Sequence, residues 1–195
     1  MSFDAGRKGK FVTQIQLEQY THSLAVAVTE AMHYFIGFDD YSPQDETRYA
    51  AVTGAHITHI LRDAVEDAQM GYYNIPREYL DKHNIAPTDF DHKAFQDWVC
   101  DQVRLARRCF GAGKIYMSRV ENLRCRLAGY AYIKRFEIVL DAIENEKYVL
   151  RAAYPERKTA KARIKMALSA IGQTIGSSLR ARPSKAPALV PSAEV

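Results

Sequence analysis

"ITHILRDAVEDAQMGYYNIPREYL", residues 57–80, sets four charged side chains into an apolar pattern. Ile57, Ile60, Leu61, Ala64 and Val65 recur at helical spacing, while Arg62, Asp63, Glu66 and Asp67 interrupt them. Gly71, Tyr72, Tyr73 and Pro76 then close the run as a turn. His59, Asp63 and Asp67 stand four apart and therefore share one helix face. At about 1.5 Å rise per residue, the two aspartates lie about 6 Å apart along the axis. Carboxylates so spaced do not collapse onto one ion; they share cations with a third party. Hard divalent cations such as Mg²⁺ take oxygen ligands, typically one or two carboxylates plus substrate phosphates. Arg62 can add a charge-assisted bond to a phosphate oxygen. The spacing therefore suits a diphosphate. It equally suits a solvated acidic face on which Arg62 pairs with Glu66 at i, i+4, and spacing alone leaves both open.

Helical punctuation continues on either side. Thr13 to Ile36 contains neither Gly nor Pro, and Ile15, Leu17, Leu24, Val28, Met32 and Phe35 recur at mostly helical intervals. Ser42-Pro43, with Asp45 following, predicts an N-cap with Pro at the first helical position and a second helix running to about Met70. Arg77 to Lys82 suits a short helix. A third long helix is expected over 91–110, broken by "GAGK" at 111–114. Ser118 and Glu121 have capping-box spacing, which predicts a further helix over 119–145. After Pro155 the chain is basic, with Arg157, Lys158, Lys161, Arg163 and Lys165 beside an apolar stripe of Ile164, Leu168, Ile171, Ile175 and Leu179. No strand-like alternation of any length interrupts this pattern, so the fold is expected to be all-α. Residues 1–180 read as one helical domain and 181–195, "ARPSKAPALVPSAEV", as a disordered tail.

Composition bounds the function. Apolar residues make up 47% and charged residues 26% of 195, ordinary for a soluble globular protein with a substantial core. A net charge of +4 is too weak to indicate nucleic acid. Cys100, Cys109 and Cys125 form no CxxC pair, as suits free thiols in a reducing cytoplasm. The first residues lack the apolar core of a signal peptide, and no apolar run of about 18 residues occurs. The basic final helix is the part suited to peripheral contact with an anionic membrane, as an alternative to an ordinary solvated face. His22 and His33 read as packing or surface residues, and Trp98 as core.

The stretch "HILRDAVEDAQMGYYNIPREYL" resembles the second aspartate-rich motif of the squalene and phytoene synthases, NILRDxxEDxxxGRxYLP. "LEQYTHSLAVAVTEAMHYFIG" resembles that family's YCYxVAGTVG helix, and "YAYIKRFEIVLDAIENEKYVLRAAYPERK" its C-terminal helix, so the resemblance spans roughly residues 1–165. It implies the all-α isoprenoid synthase fold, with helices around an apolar cavity and aspartates at its mouth. The implied reaction is head-to-head condensation of two prenyl diphosphates through a cyclopropyl intermediate, with Mg²⁺ as cofactor, in squalene, hopanoid or carotenoid biosynthesis. By the resemblance, Asp63 and Asp67 are the catalytic, Mg²⁺-holding pair and Arg62 contacts diphosphate. His59 stands where the family has a metal-contacting Asn, and His56 where it has Gln. Tyr20 matches the first Tyr of the cavity helix, and Leu24, Ala25 and Val28 its lining positions.

The departures are specific. Imidazole at 59 is softer than an amide oxygen and suits zinc or iron better than Mg²⁺. Thr29 replaces a glycine that leaves room for the prenyl chain. Tyr72 and Asn74 replace the Arg and Tyr of GRxYLP. Arg151 is the nearest candidate for an arginine the family carries past the Tyr148 position. The family's first D-x-x-x-D motif has no counterpart here: Asp39, Asp40 and Asp45 fall in a loop after the cavity helix. "MSFD" at 1–4 resembles an internal family segment. The chain is thus expected to be the C-terminal part of the domain, completed by a missing half or a partner subunit, and to expose apolar faces meanwhile. Two other readings stay open. One is a non-catalytic relative serving as a binding or assembly module. The other is a helical metal protein using His56, His59, Asp63 and Asp67, with zinc preferred over magnesium. Prenyl chain length and the use of NADPH are not legible.

Overall fold

The computed structural model describes residues 6–37 and 43–180, except the side chains of 157–158 and 178–180. The described residues form six helices, α1 (Gln14–Ile36), α2 (Ala50–Gln69), α3 (Arg77–His83), α4 (Lys93–Arg119), α5 (Leu123–Asn145) and α6 (Ala160–Arg180). Single 3₁₀ turns, Glu46–Tyr49 and Pro155–Lys158, precede α2 and α6. Among the described residues no strand forms; one isolated bridge joins Val12 to Pro76. The all-α expectation holds.

The helix of residues 57–69 is the centre of the molecule. α2 packs on α1, α4 and α5. Its first three turns are almost wholly buried, through Ala51, Val52, Gly54, Ala55, Ile57, Thr58, Ile60 and Leu61. Beyond Leu61 only Ala68 is buried, so α2 emerges from the core as its charged residues begin. The core continues through Phe95, Trp98, Val103 and Phe110 of α4 and Ile133, Leu140 and Ile143 of α5.

Three boundaries differ from the sequence expectation. α4 runs on through Gly111 and Gly113 to Arg119 instead of stopping at Phe110. The reason is close approach to α2. A Cβ on Gly113 would lie 2.8 Å from Ala51 Cβ and 3.0 Å from its Cα and N, and one on Gly54 would lie 2.9 Å from the Phe110 ring. Packing therefore outweighs the roughly 1 kcal/mol that a helical glycine costs. α5 is capped by Asn122, whose Oδ1 accepts from Cys125 N at 3.1 Å. Ser118 makes no capping box; its Oγ donates to Ile115 O at 2.7 Å inside α4. Before α2, Asp45 is the cap, accepting from Thr47 N at 3.0 Å, and Pro43 is not helical. The expected cap Ser42, with Asp39 and Asp40, lies outside the described residues, as do "MSFD" and the expected tail. The start of α1 agrees with expectation: Thr13 and Gln16 form a reciprocal capping box.

The two glycines of α4 yield a matched pair of expectations. Gly113→Ala should destabilise by about 1–3 kcal/mol, because the neighbour it meets is backbone. Gly111→Ala meets nothing within 4 Å and should stabilise by up to about 1 kcal/mol. Urea unfolding of both variants checks the opposite signs.

Buried polar side chains are concentrated where α1, the first 3₁₀ turn and α4 meet. Arg48, 3% exposed, donates from Nε and Nη2 to the two Glu30 carboxylate oxygens, each at 2.9 Å. Its Nη1 donates to Tyr116 Oη at 3.1 Å. His33 is also buried, 3.4 Å from that phenol, so the packing reading of His33 holds. His22 stays exposed, edge-on to Tyr49. Trp98 is core, as expected.

Candidate functional site

The charged end of α2 faces a cleft of about 260 Å³ walled opposite by Ala152, Ala153, Tyr154 and Pro155. Arg62, Asp63 and Glu66 line it. Arg62 is mostly buried and closes on its neighbour Asp63 through one guanidinium edge, Nε and Nη2 donating to the two carboxylate oxygens. The expected i, i+4 pairing with Glu66 is not what forms. The reason is placement: Arg62 leans into the cleft wall, whereas Glu66 is exposed.

Asp67 is held by a relay that spacing did not reveal. Arg7 Nη1 donates to Asn74 Oδ1 at 2.8 Å, and Asn74 Nδ2 donates to Asp67 Oδ2 at 2.7 Å. A guanidinium has only donors, so it fixes the Asn74 amide with its oxygen outward and its nitrogen toward the carboxylate. Asn74 is 8% exposed, and Arg7 also lies over the Tyr72 ring at 5.3 Å. The backbone brings these partners together: Gly9 N donates to Gly71 O at 2.8 Å and Arg77 N to Val12 O at 2.8 Å. Residues 72 and 74, read in the sequence as departures from a motif, thus anchor the N-terminal segment beside Asp67.

Burial raises the Asp67 carboxyl above its ordinary pKa, and the negative charge of Asp63 adds to the rise; Asn74 and Arg7 oppose it. The ionised form of Asp67 is therefore disfavoured where it stands, and a cation beside it would relieve that cost.

The remaining candidate residues divide. Tyr20 on α1 meets His56 on α2 edge-on, with ring centroids 5.2 Å apart, so these two adjoin the acidic face. Leu24 and Val28 are half-buried on α1, while Ala25 is fully buried. His59 is exposed and lies against the Phe136 ring at 4.9 Å. Among the described residues no three His, Cys, Asp or Glu side chains converge to hold a metal ion, so a self-contained zinc site does not assemble. The two aspartates nevertheless fit a hard cation whose other ligands are water and substrate phosphate, the usual arrangement for Mg²⁺. Arg151, the candidate for a further phosphate contact, is held between Glu146 at 3.0 Å and Glu156 at 2.6 Å. Asp45 is no ligand either; it caps a 3₁₀ turn and binds Arg119 Nη1 at 2.6 Å.

Thr29 stands in a crevice of only about 20 Å³ between α1, α2 and α5, room for one water at most. Its buried Oγ1 has no hydrogen-bond partner among the described residues. The space that a glycine would have left is closed.

The squalene/phytoene synthase family profile matches residues 1–166, from the N-terminal segment through α5 and into α6. The chain belongs to the squalene/phytoene synthase family. No curated protein matches it. Its helices are those of the isoprenoid synthase fold, and the family acts on prenyl diphosphates and is generally Mg²⁺-dependent. No described helix is long and apolar enough to cross a membrane.

Proposed function

We propose that this family member is a prenyltransferase that binds prenyl diphosphates at the charged end of α2 and joins two of them head to head. The observation that carries the reading is Asp63 beside Arg62 in the cleft lining, with Asp67 one turn further along α2 and held by Asn74. Mg²⁺ held by Asp63 and Asp67 would neutralise the departing diphosphate. Arg62, now paired with Asp63, would contact a phosphate oxygen by a charge-assisted bond, leaving Asp63 as a carboxylate able to hold the cation. Asn74 and Arg7 keep Asp67 aimed at the site. Tyr20, Leu24, Val28 and His56 supply the wall along which the prenyl chain lies, with Ala25 behind it. His59 flanks the metal side. Free thiols suit a cytoplasmic setting; squalene, hopanoid or carotenoid synthesis is the pathway class.

That wall is open. Ile15, Tyr34 and Phe35 of α1 are 65%, 80% and 82% exposed. Large apolar side chains exposed at both ends of α1 suit an interface. A partner subunit packed on α1 would cover these side chains.

The relay yields a distinct expectation. Asn74→Leu should weaken Mg²⁺-dependent diphosphate binding by about 10–100-fold, the usual cost of losing a partner behind a metal ligand. Titration calorimetry with a prenyl thiodiphosphate measures it, and an unchanged affinity would remove Asn74 from the site.

A second reading rests on the closed crevice at Thr29: a relative that binds prenyl diphosphate without condensing it. The two separate on incubation with fifteen- and twenty-carbon diphosphates and Mg²⁺, with inorganic diphosphate release followed. Release dependent on Mg²⁺ supports the transferase. Binding without release supports the binding module, and neither binding nor release contradicts both.

A further inference from the structure

α6 presents its surfaces in reverse. The side chains it buries are small or hydroxylic: Ala162, Ala170, Thr174 and Ser177. The two hydroxyls are satisfied within the helix, Thr174 Oγ1 donating to Ala170 O at 2.7 Å and Ser177 Oγ to Thr174 O at 2.9 Å. Small residues on this face let α6 pack closely along α5. The large apolar side chains point the other way. Ile164, Leu168, Ile171 and Ile175 are 59%, 66%, 51% and 55% exposed. Ile115 of α4, 61% exposed, lines the same groove as Leu168 and extends the patch. A surface helix ordinarily turns such a stripe to the core, so this one is built to be covered.

We propose that the outward face of α6 is a docking surface for an anionic lipid bilayer. Charge selects the occupant. Residues 157–180 contain no Asp or Glu. Lys161, Arg163 and Lys165 are exposed and sit at the edges of the stripe's first two turns. Their aliphatic stems can lie along apolar surface while their charged ends reach phosphate. A second copy's α6 would bring no negative charge to meet them; lipid phosphates and serine headgroups do. Length sets the mode. From Ile164 to Ile175 the stripe runs about 16 Å along the axis, roughly half the thickness of a hydrocarbon core. The helix therefore lies in the interface plane, with its apolar side sunk to the acyl boundary. The surface is separate from the acidic end of α2 and does not depend on what that site binds.

Flotation of the full chain with phosphatidylcholine vesicles, with and without phosphatidylserine, tests the assignment. Each basic residue at an anionic surface is worth about a five-fold change in partitioning. Three should favour the anionic vesicles about a hundred-fold at low salt, with the preference lost near 1 M salt, where screening acts within about 3 Å. Leu168→Glu with Ile171→Glu should abolish flotation and leave the circular dichroism unchanged, because both side chains already face water. Equal binding to the two vesicle types, or an unaltered double variant, would overturn the proposal. So would failure to float combined with a dimer in solution that the double variant dissociates, since the stripe would then be a protein interface.

Discussion

Asp63→Asn and Asp67→Asn should each abolish Mg²⁺-dependent binding of a prenyl diphosphate without loosening the fold. An amide is a weaker ligand for a hard cation and restores none of the negative charge. Neither aspartate supports the helix. Both lie away from the first turn of α2, where the macrodipole favours acids, and Asp67 stands in the last turn, where it disfavours them. The two variants should differ in stability. Asp67 has a carboxyl pKa raised above 3.8, burial first and Asp63 second. The native state therefore holds more protons than the unfolded state between 3.8 and the raised value. Stability is lost as pH rises through that window and stays lost at neutral pH. Asp67→Asn removes this cost while its Oδ1 still accepts from Asn74, so its Tm at pH 7 should exceed that of wild type. Asp63→Asn frees Arg62 and should leave Tm lower than that of Asp67→Asn. Differential scanning calorimetry without Mg²⁺ reads both. A lower Tm for Asp67→Asn than for wild type would show a structural role instead.

Glu30→Ala should be among the most destabilising single changes in the chain. It strips the bidentate carboxylate from the Arg48 guanidinium, 3% exposed, which keeps its bond to Tyr116 Oη. Stripping one partner from a buried ion pair costs about 3–5 kcal/mol. Glu30 is itself 47% exposed, so water reaches part of the gap and about 2–3 kcal/mol is expected. Replacing both members, Arg48→Met with Glu30→Gln, should cost less than Glu30→Ala alone, because no buried charge is then left unmatched. Acid should act in the same direction. Hydrogen bonding from Arg48 lowers the Glu30 pKa below 4.5, and burial lowers that of His33 below 6.5. In both cases the unfolded state binds more protons than the native state. Stability therefore falls as pH drops below 6.5 through His33 and again below 4.5 through Glu30. Urea midpoints measured from pH 7 to pH 3 should show that decline, and Glu30→Gln should make its lower limb shallower, leaving what Asp45 and Glu156 contribute.

Local pattern made much of this molecule legible. The apolar periodicity before Arg62 and the change of character after it located both the central helix and the point where α2 leaves the core. Thr13 marked a helix start because its cap is a local contact. The misplaced boundaries share a cause. Gly111 and Gly113 read as a break, and only the nearness of Ala51, some sixty residues away, shows why a helix keeps them. Ser118 has capping spacing to Glu121 but sits inside a helix already formed by packing, with Glu121 in the connection after it. The final stripe was recognised as one face, but its direction was set by α5, which takes small side chains better than large ones. The Arg7–Asn74–Asp67 relay and the Arg48–Glu30 pair span 67 and 18 positions and have no periodic signature. Asn74 did leave a trace, as a departure within an otherwise matching motif.

Isothermal titration of the wild-type chain with a non-hydrolysable prenyl thiodiphosphate, in matched buffers with Mg²⁺ and with EDTA, tests the central claim most directly. Saturable binding that requires Mg²⁺ and vanishes in Asp63→Asn is the predicted result. Binding that is indifferent to Mg²⁺, or equal in wild type and both aspartate variants, would contradict it.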